Sequence, residues 1–133
     1  MTLEDAIFEK LMATVAVVAR TGARVYRGWR PQRAILPCVT FLRIDTVPVN
    51  GAAGASDTSR ARVQVDVWAE NQGTARTIAD AVKSGLDGWT RTSSPEISPV
   101  LLISDNDFTE ESEPGSGQRE YRISQDYSIW FQA

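Results

Sequence analysis

Residues 60–69 read Arg-Ala-Arg-Val-Gln-Val-Asp-Val-Trp-Ala, the strongest secondary-structure signal in the chain. Small or apolar side chains alternate strictly with polar ones, which is the period of a β-strand that buries one face. The expected core face comprises Ala61, Val63, Val65, Val67 and Ala69. The expected outer face comprises Arg60, Arg62, Gln64, Asp66 and Trp68. A tryptophan on a polar face is unusual, so Trp68 is a candidate contact residue.

The chain on the C-terminal side of this strand gives two further strong patterns. Asn71 is a favourable N-cap, and apolar residues at three- and four-residue spacing predict a helix over residues 72–87. Alternation returns at residues 120–131, which predicts a last strand with one face in the core. Trp130 falls on the polar face of that strand, as Trp68 does on the earlier one.

The N-terminal part of the chain completes the set of elements. Thr2 can cap a helix over residues 3–20, where a single apolar stripe recurs at helical spacing. Short apolar runs predict strands at residues 25–26, 38–45 and 100–103. The sequence therefore predicts one α+β domain over residues 1–133, with a mainly antiparallel four- to five-stranded sheet and two helices packed on one face.

Two polar segments are expected to be flexible loops. Residues 48–59 are rich in Gly, Ala and Ser, and residues 105–118 are acidic with a central turn at residues 113–117. Loops of this length often have a function, so both are predicted to be contact arms. The candidate residues on them are Asn50, Gly51, Gly54, Asp57, Glu110, Glu111 and Glu113.

The composition excludes several kinds of chemistry. The 133 residues contain no histidine and one cysteine, Cys38. A catalytic system that uses histidine, a zinc site of His and Cys ligands, and an intramolecular disulfide therefore cannot be built within one chain. No apolar run approaches the length of a membrane span, and acidic residues stand near Met1, where a signal peptide needs cations. We expect no enzyme activity, no cofactor, no metal and no membrane, and synthesis in the cytoplasm.

The net charge of −3 conceals an uneven distribution. Residues 20–62 hold eight arginines and two aspartates, a surplus of six positive charges. Residues 96–133 hold eight carboxylates and two arginines, a surplus of six negative charges. Solvated faces of a soluble protein are one explanation. The other is that the basic surface of one copy meets the acidic surface of the next, which is a heterologous contact that makes a ring or a filament.

Aromatic and charged residues on the expected outer faces form the candidate interface. An exposed tryptophan among Arg and Asp is typical of an anchor between proteins, although a loop or the first helix of the same chain would equally cover Trp68 and Trp130. The candidate subunit or partner interface is Arg27, Trp29, Arg30, Arg62, Gln64, Asp66, Trp68, Arg122, Asp126 and Trp130.

Two other functions stay open from the residues alone. Segment 24–33 interleaves four arginines with Tyr26 and Trp29, a pattern that can hold single-stranded nucleic acid. The acidic residues 105–113 could bind a hard cation, but they lack the spacing of an EF-hand, so a solvated acidic hairpin is the default.

The order and spacing of several short blocks resemble a known family over nearly the whole chain. These blocks are Arg24-Val25-Tyr26, residues 36–41, residues 61–69 with the helix after them, Tyr121-Arg122, and residues 126–131. They resemble the tail-completion proteins of long-tailed phages, also called tail terminator or head-to-tail joining proteins, which also occur in prophages and gene transfer agents.

The resemblance implies a structural virion protein. Such a protein would form a homo-hexameric ring that caps the tail tube protein, ends tube polymerisation and joins the tail to the head-tail connector or stopper protein. DNA would pass through the lumen without specific binding. The implied location is the virion tail or neck, and the host bacterial cytoplasm during assembly. No catalytic residue is carried over.

Overall fold

Two long antiparallel strands form the centre of the sheet in the computed structural model, which describes residues 1–32, 34–51, 54–111 and 119–132. The helices are α1 (Leu3–Ala13), α2 (Val15–Thr21) and α3 (Gln72–Leu86). The strands are β1 (Val25–Arg27), β2 (Cys38–Gly51), β3 (Gly54–Ala69), β4 (Glu96–Ile97), β5 (Leu101–Glu111) and β6 (Arg119–Gln132). No helix among the described residues is long and apolar enough to cross a membrane.

The alternating patterns of β3 and β6 behave as predicted. The two strands pair in one unbroken register from Thr58 opposite Gln132 to Ala69 opposite Tyr121. Odd-numbered residues of both strands face the hydrophobic core that they share with the helices, and Val63, Val65 and Ile123 are at most 1% exposed. Even-numbered residues face the other way. Because α1, α2 and α3 contribute to one hydrophobic core with the first face, the opposite face carries no helix from the described part of the chain.

The sheet is mixed and larger than predicted. Among the described residues it has six strands in the order β1-β2-β3-β6, with β4 and β5 both paired to β6. Strand β1 runs parallel to β2, whereas every other pair is antiparallel. The expectation of a mainly antiparallel sheet of four or five strands is therefore only partly right. The cause is the connection between β1 and β2 through residues 28–37, which crosses over so that β2 starts beside β1 and runs in the same direction.

The N-terminal helical region divides into two helices, so the single helix predicted over residues 3–20 is wrong. The start is as predicted, because Thr2 Oγ1 accepts from the Asp5 N–H at 3.1 Å and the Asp5 carboxylate accepts from the Thr2 N–H at 2.8 Å. The break is at Thr14, whose backbone is extended (φ −83°, ψ 100°). The Thr14 hydroxyl donates to the Lys10 carbonyl at 2.8 Å, a local bond that competes with the helix.

The break at Thr14 packs against a glycine in α3. A Cβ placed on Gly85 would lie 2.7 Å from Thr14 Oγ1, which is too close for any real contact. Alanine is favoured over glycine within a helix by about 1 kcal/mol. We nevertheless expect Gly85→Ala to lower the free energy of unfolding by about 1–2 kcal/mol, because Thr14 is β-branched and cannot easily turn away. Urea denaturation measures this, and a more stable variant would show that the close approach carries no cost.

The long loop predicted at residues 48–59 is a β-hairpin. Asn50 and Gly51 lie in β2, Gly54 and Asp57 lie in β3, and the pairing continues to Gly51 opposite Gly54. The loop prediction is wrong because small residues pair readily once a neighbouring strand supplies the hydrogen bonds. Beyond Thr58, the last β3 residue paired to β6, no third strand from the described residues pairs with this hairpin, which extends past the sheet.

The acidic segment predicted as a loop over residues 105–118 is also mostly strand. Strand β5 continues through Glu110 and Glu111 and pairs with β6 as far as Glu111 opposite Arg119. Glu113 and the predicted turn at residues 113–117 lie outside the described residues. Alternation along β5 is hidden by its many acidic residues, so only the pairing with β6 reveals its length.

Candidate outer-face interface

The face of the sheet opposite the helices, which we call the outer face, collects most of the predicted interface residues. Residues at even positions of β3 and β6 stand side by side on it. Direct pairs are Trp68 with Arg122, Asp66 with Ser124, and Gln64 with Asp126. Residues far apart in the sequence thus form one continuous surface, as the alternation of the two strands requires.

One end of the outer face is a row of alternating guanidinium and aromatic groups, which we call the Arg–aromatic row. Its members, in order, are Phe108, Arg122, Trp68 and Arg30. The Arg122 guanidinium lies 4.6 Å from the Phe108 ring centre and 5.3 Å from that of Trp68. The Arg30 guanidinium lies 4.4 Å from the centre of the same Trp68 ring. Each such contact is worth about 0.5–2 kcal/mol, so the row fixes these side chains in place.

Further polar contacts hold the Arg–aromatic row. The Trp68 indole N–H donates to Thr40 Oγ1 at 3.2 Å. Arg30 donates to Glu120 at 2.5 Å, and both side chains are largely buried. Arg122 also lies 3.9 Å from the Asp66 carboxylate. Trp68 is therefore half-buried beneath a side chain from the segment that follows β1, and does not stand free in solvent.

The basic and acidic parts of the chain meet within one molecule. Arg62 donates to Asp126 at 3.0 Å, and the Ser104 hydroxyl donates to the same carboxylate at 3.2 Å. Arg30 with Glu120 joins the same two regions. Some of the basic residues of 20–62 are thus paired with acidic residues of 96–133 in the same molecule. Fewer unpaired charges are therefore left for contacts between copies.

Of the other predicted residues, Trp130 lies at the margin of the outer face, whereas Arg27 lies on the opposite side of the sheet, against the helices. Trp130 is half-buried, and the Arg60 guanidinium lies 5.9 Å from its ring centre. Arg27 reaches α1, where it pairs with Asp5 at 2.7 Å and covers the Phe8 ring at 5.2 Å.

Trp29 is the most exposed large apolar side chain near the outer face. It is 86% exposed. Together with Arg27, Gly28 and Leu42 it lines a shallow groove of about 290 Å³.

The acidic end of the molecule is organised around one arginine. Arg76 of α3 donates to Asp105 at 3.0 and 3.1 Å, to Asp107, and lies 3.7 Å from Asp80. Burial of Asp105 would raise its pKa, but the hydrogen bonds from Arg76 and Gln125 outweigh it and hold the pKa below the usual 3.8. Within the described ranges, no three metal-binding side chains converge on one point.

Asp105 contributes to the pH dependence of stability. Its lowered pKa means that its contribution to stability is complete above pH 3.8 and is lost as the pH falls through the lower folded value. We expect the free energy of unfolding of wild type to fall more steeply than that of Asp105→Asn between about pH 4 and pH 2. Urea denaturation at a series of pH values measures both slopes. Parallel curves would contradict the role assigned to Asp105.

Several residues of this surface carry no clear signal in the sequence. Phe108 stands in an acidic run whose period is obscured, and Glu120 and Thr40 have no distinguishing pattern. Phe108 belongs to the Arg–aromatic row, and Glu120 and Thr40 bond to two of its other members. The only sequence signal that Phe108 belongs to this surface is that it is the one aromatic residue among the acidic residues 105–111.

Comparison with known proteins gives the family. No curated protein matches the chain significantly. A solved chain from the virion of a native gene transfer agent particle has the same fold, with a TM-score of 0.79 at 18% identity over 98% of this chain and 95% of that one. The family model described as tail completion protein gp17 matches residues 5–132. The resemblance found in the sequence is thereby confirmed: the chain belongs to the tail completion protein gp17 family, and it is a structural phage-tail protein and not an enzyme.

Proposed function

We propose that this protein closes into a homo-hexameric ring on the finished end of the tail tube. The ring stops addition of further tube protein, presents a surface to the head-tail connector or stopper protein, and leaves a lumen through which DNA passes without specific binding. The observation that carries this proposal is membership of the tail completion family over residues 5–132. The fold shared over nearly the full chain with a component of a gene transfer agent virion supports it.

The shape of the sheet suits a protein that contacts several partners at once. The hairpin formed by residues 48–51 and 54–57 lies beyond the last β3–β6 pair, so it can reach a neighbouring protein while the sheet stays intact. The outer face offers an ordered surface, since the Arg–aromatic row fixes Trp68, Arg30 and Arg122 before any partner arrives. Preorganised side chains lose little entropy on binding. We propose the outer face as the partner surface and the hairpin as a contact arm.

The nucleic-acid-binding alternative has no specific observation in its favour. Among the described arginines of segment 24–32, Arg27 and Arg30 pair with carboxylates of this chain. Arg24 donates to the carbonyl oxygens of Pro37 and Arg20. Because these guanidinium groups are already engaged, a phosphate backbone would have to displace existing contacts.

Deletion of the gene tests the proposed function. Particles assembled without this protein should accumulate filled heads that are not joined to tails, together with tubes of irregular length, and supplying the protein in trans should restore joined particles. Negative-stain electron microscopy counts both classes. Joined, infectious or transfer-competent particles at the wild-type level without the protein would contradict the proposal.

A further inference from the structure

The sheet has two free edges that carry exposed apolar side chains. Strand β1 covers β2 only as far as Phe41, so residues 42–47, which precede the hairpin, form one edge, and among the described residues no strand pairs with their outer side. Strand β5 forms the other edge, since within the described part of the chain it pairs only with β6. Apolar residues exposed along these edges are Leu42, Ile44, Val47, Leu101, Ile103 and Phe108. Exposed apolar edge strands are places where a second chain docks.

Each edge carries a bulge at an isoleucine. The register of β2 with β3 shifts between Arg43 and Asp45, and the extra residue is Ile44. The register of β5 with β6 shifts between Leu102 and Ser104, and the extra residue is Ile103. Ile44 is 41% exposed and Ile103 is 62% exposed. A bulge interrupts the ladder and re-aims a side chain, so these edges favour contact through side chains over an extended shared sheet.

The two edges differ in charge. The described residues of 20–37, which lead into and out of β1, include four arginines and no acidic residue. Arg27 and Arg30 are paired within the chain, but no carboxylate among the described residues pairs with Arg24. Strand β5 contains no basic residue, and its described side chains include the carboxylates of Asp105 and Asp107. Arg76 faces three carboxylates at this edge, so the cluster keeps negative charge. Opposite charge at opposite edges favours an edge of one copy against the other edge of the next.

We infer that the β1–β2 edge of one copy binds the β5 edge of a second copy, with Ile44 and Ile103 near the centre of the contact. This inference rests on the proposed ring and names the surfaces that build it. The contact is heterologous, because two different patches meet, and repetition of such a contact around an axis closes a ring. The outer face of β3 and β6 and the hairpin arm then stay free for tube and connector proteins.

Two single-edge variants test the inference. Ile44→Glu places a charge on the apolar β1–β2 edge and leaves the β5 edge unchanged. Ile103→Glu places a charge on the β5 edge and leaves the β1–β2 edge unchanged. Val15→Glu is the matched control, because Val15 is an exposed apolar residue of α2 away from both edges. Isotope-labelled Ile44→Glu is titrated with unlabelled Ile103→Glu up to about 1 mM, where NMR detects even millimolar affinity. Melting curves confirm that each variant is folded.

We expect amide shifts confined to β5 of the labelled protein in this mixture, and none when Ile44→Glu is titrated with itself. Each single variant should self-associate at least about tenfold more weakly than wild type and Val15→Glu. Absence of shifts in the mixture, shifts elsewhere than β5, or equal shifts in the self-titration would overturn the inference. If particles still carry rings on their tails in that case, only the inferred edge contact is contradicted and the proposed function is retained. If the edges bind but particles carry no ring, only the proposed function is contradicted.

Discussion

The Gln125→Ala variant is expected to lose about 3–4 kcal/mol of unfolding free energy, because it removes the centre of a buried hydrogen-bond network. Gln125 is fully buried. Its amide donates to the Ala79 carbonyl at 3.0 Å and to Asp105 at 3.1 Å, and its oxygen accepts from the Tyr127 hydroxyl at 2.7 Å. Truncation leaves the hydroxyl and the carbonyl buried without these partners and opens a cavity. Urea denaturation monitored by tryptophan fluorescence measures the loss.

Tyr127→Phe is the control for this network. It removes one hydroxyl and keeps the volume, so we expect a smaller loss of about 1–2 kcal/mol. In the double variant the two losses should not add, because they share one hydrogen bond. A Gln125→Ala protein as stable as wild type would show that this buried network contributes nothing to the link between α3 and β6.

The second large effect is expected for Trp68→Ala, which removes the centre of the Arg–aromatic row. Trp68 contacts the guanidinium groups of Arg30 and Arg122 and donates to Thr40. We expect a loss of about 2–3 kcal/mol in unfolding free energy, less than for a fully buried tryptophan. Segment 28–32 should also exchange its amide hydrogens faster, because Arg30 loses the ring beneath it.

Trp29→Ala is the matched comparison for Trp68. Trp29 is highly exposed, so its truncation should change the unfolding free energy by no more than about 0.5 kcal/mol. Hydrogen exchange followed by mass spectrometry separates the two variants. Equal stability loss in both, or unchanged exchange of segment 28–32 in Trp68→Ala, would contradict the fixed outer face.

The parts of the fold that the sequence predicts well are those with strong local signals. The alternation at residues 60–69, the Asn71 cap and the Thr2 capping box all depend on contacts within a few residues, and all are found in the structure. The break at Thr14 is not predictable in this way, because it is coupled to Gly85 of α3, far along the chain. The loop prediction for residues 48–59 fails because composition cannot show which neighbouring backbone a strand will meet.

In the candidate site, too, local sequence patterns predict some features, whereas contacts between distant residues are not predicted. Periodicity alone places Trp68 and Trp130 on the outer face, and the structure agrees. What periodicity cannot show is that Arg30 lies over Trp68 and pairs with Glu120, ninety residues away in sequence. The structure therefore adds the contacts that make the surface rigid. The assignment of the predicted interface residues to neighbours and partners stays a prediction.

A cryo-EM reconstruction of the head–tail junction tests the ring most directly. We expect a ring of six copies of this chain at the head-proximal end of the tail tube, between the tube and the connector, with DNA or an open channel on the axis. Neighbouring copies should meet at the β1–β2 and β5 edges, and the outer face or the hairpin should contact the proteins above and below. A junction in which this chain is absent, or in which it does not form a closed ring, would contradict the central claim.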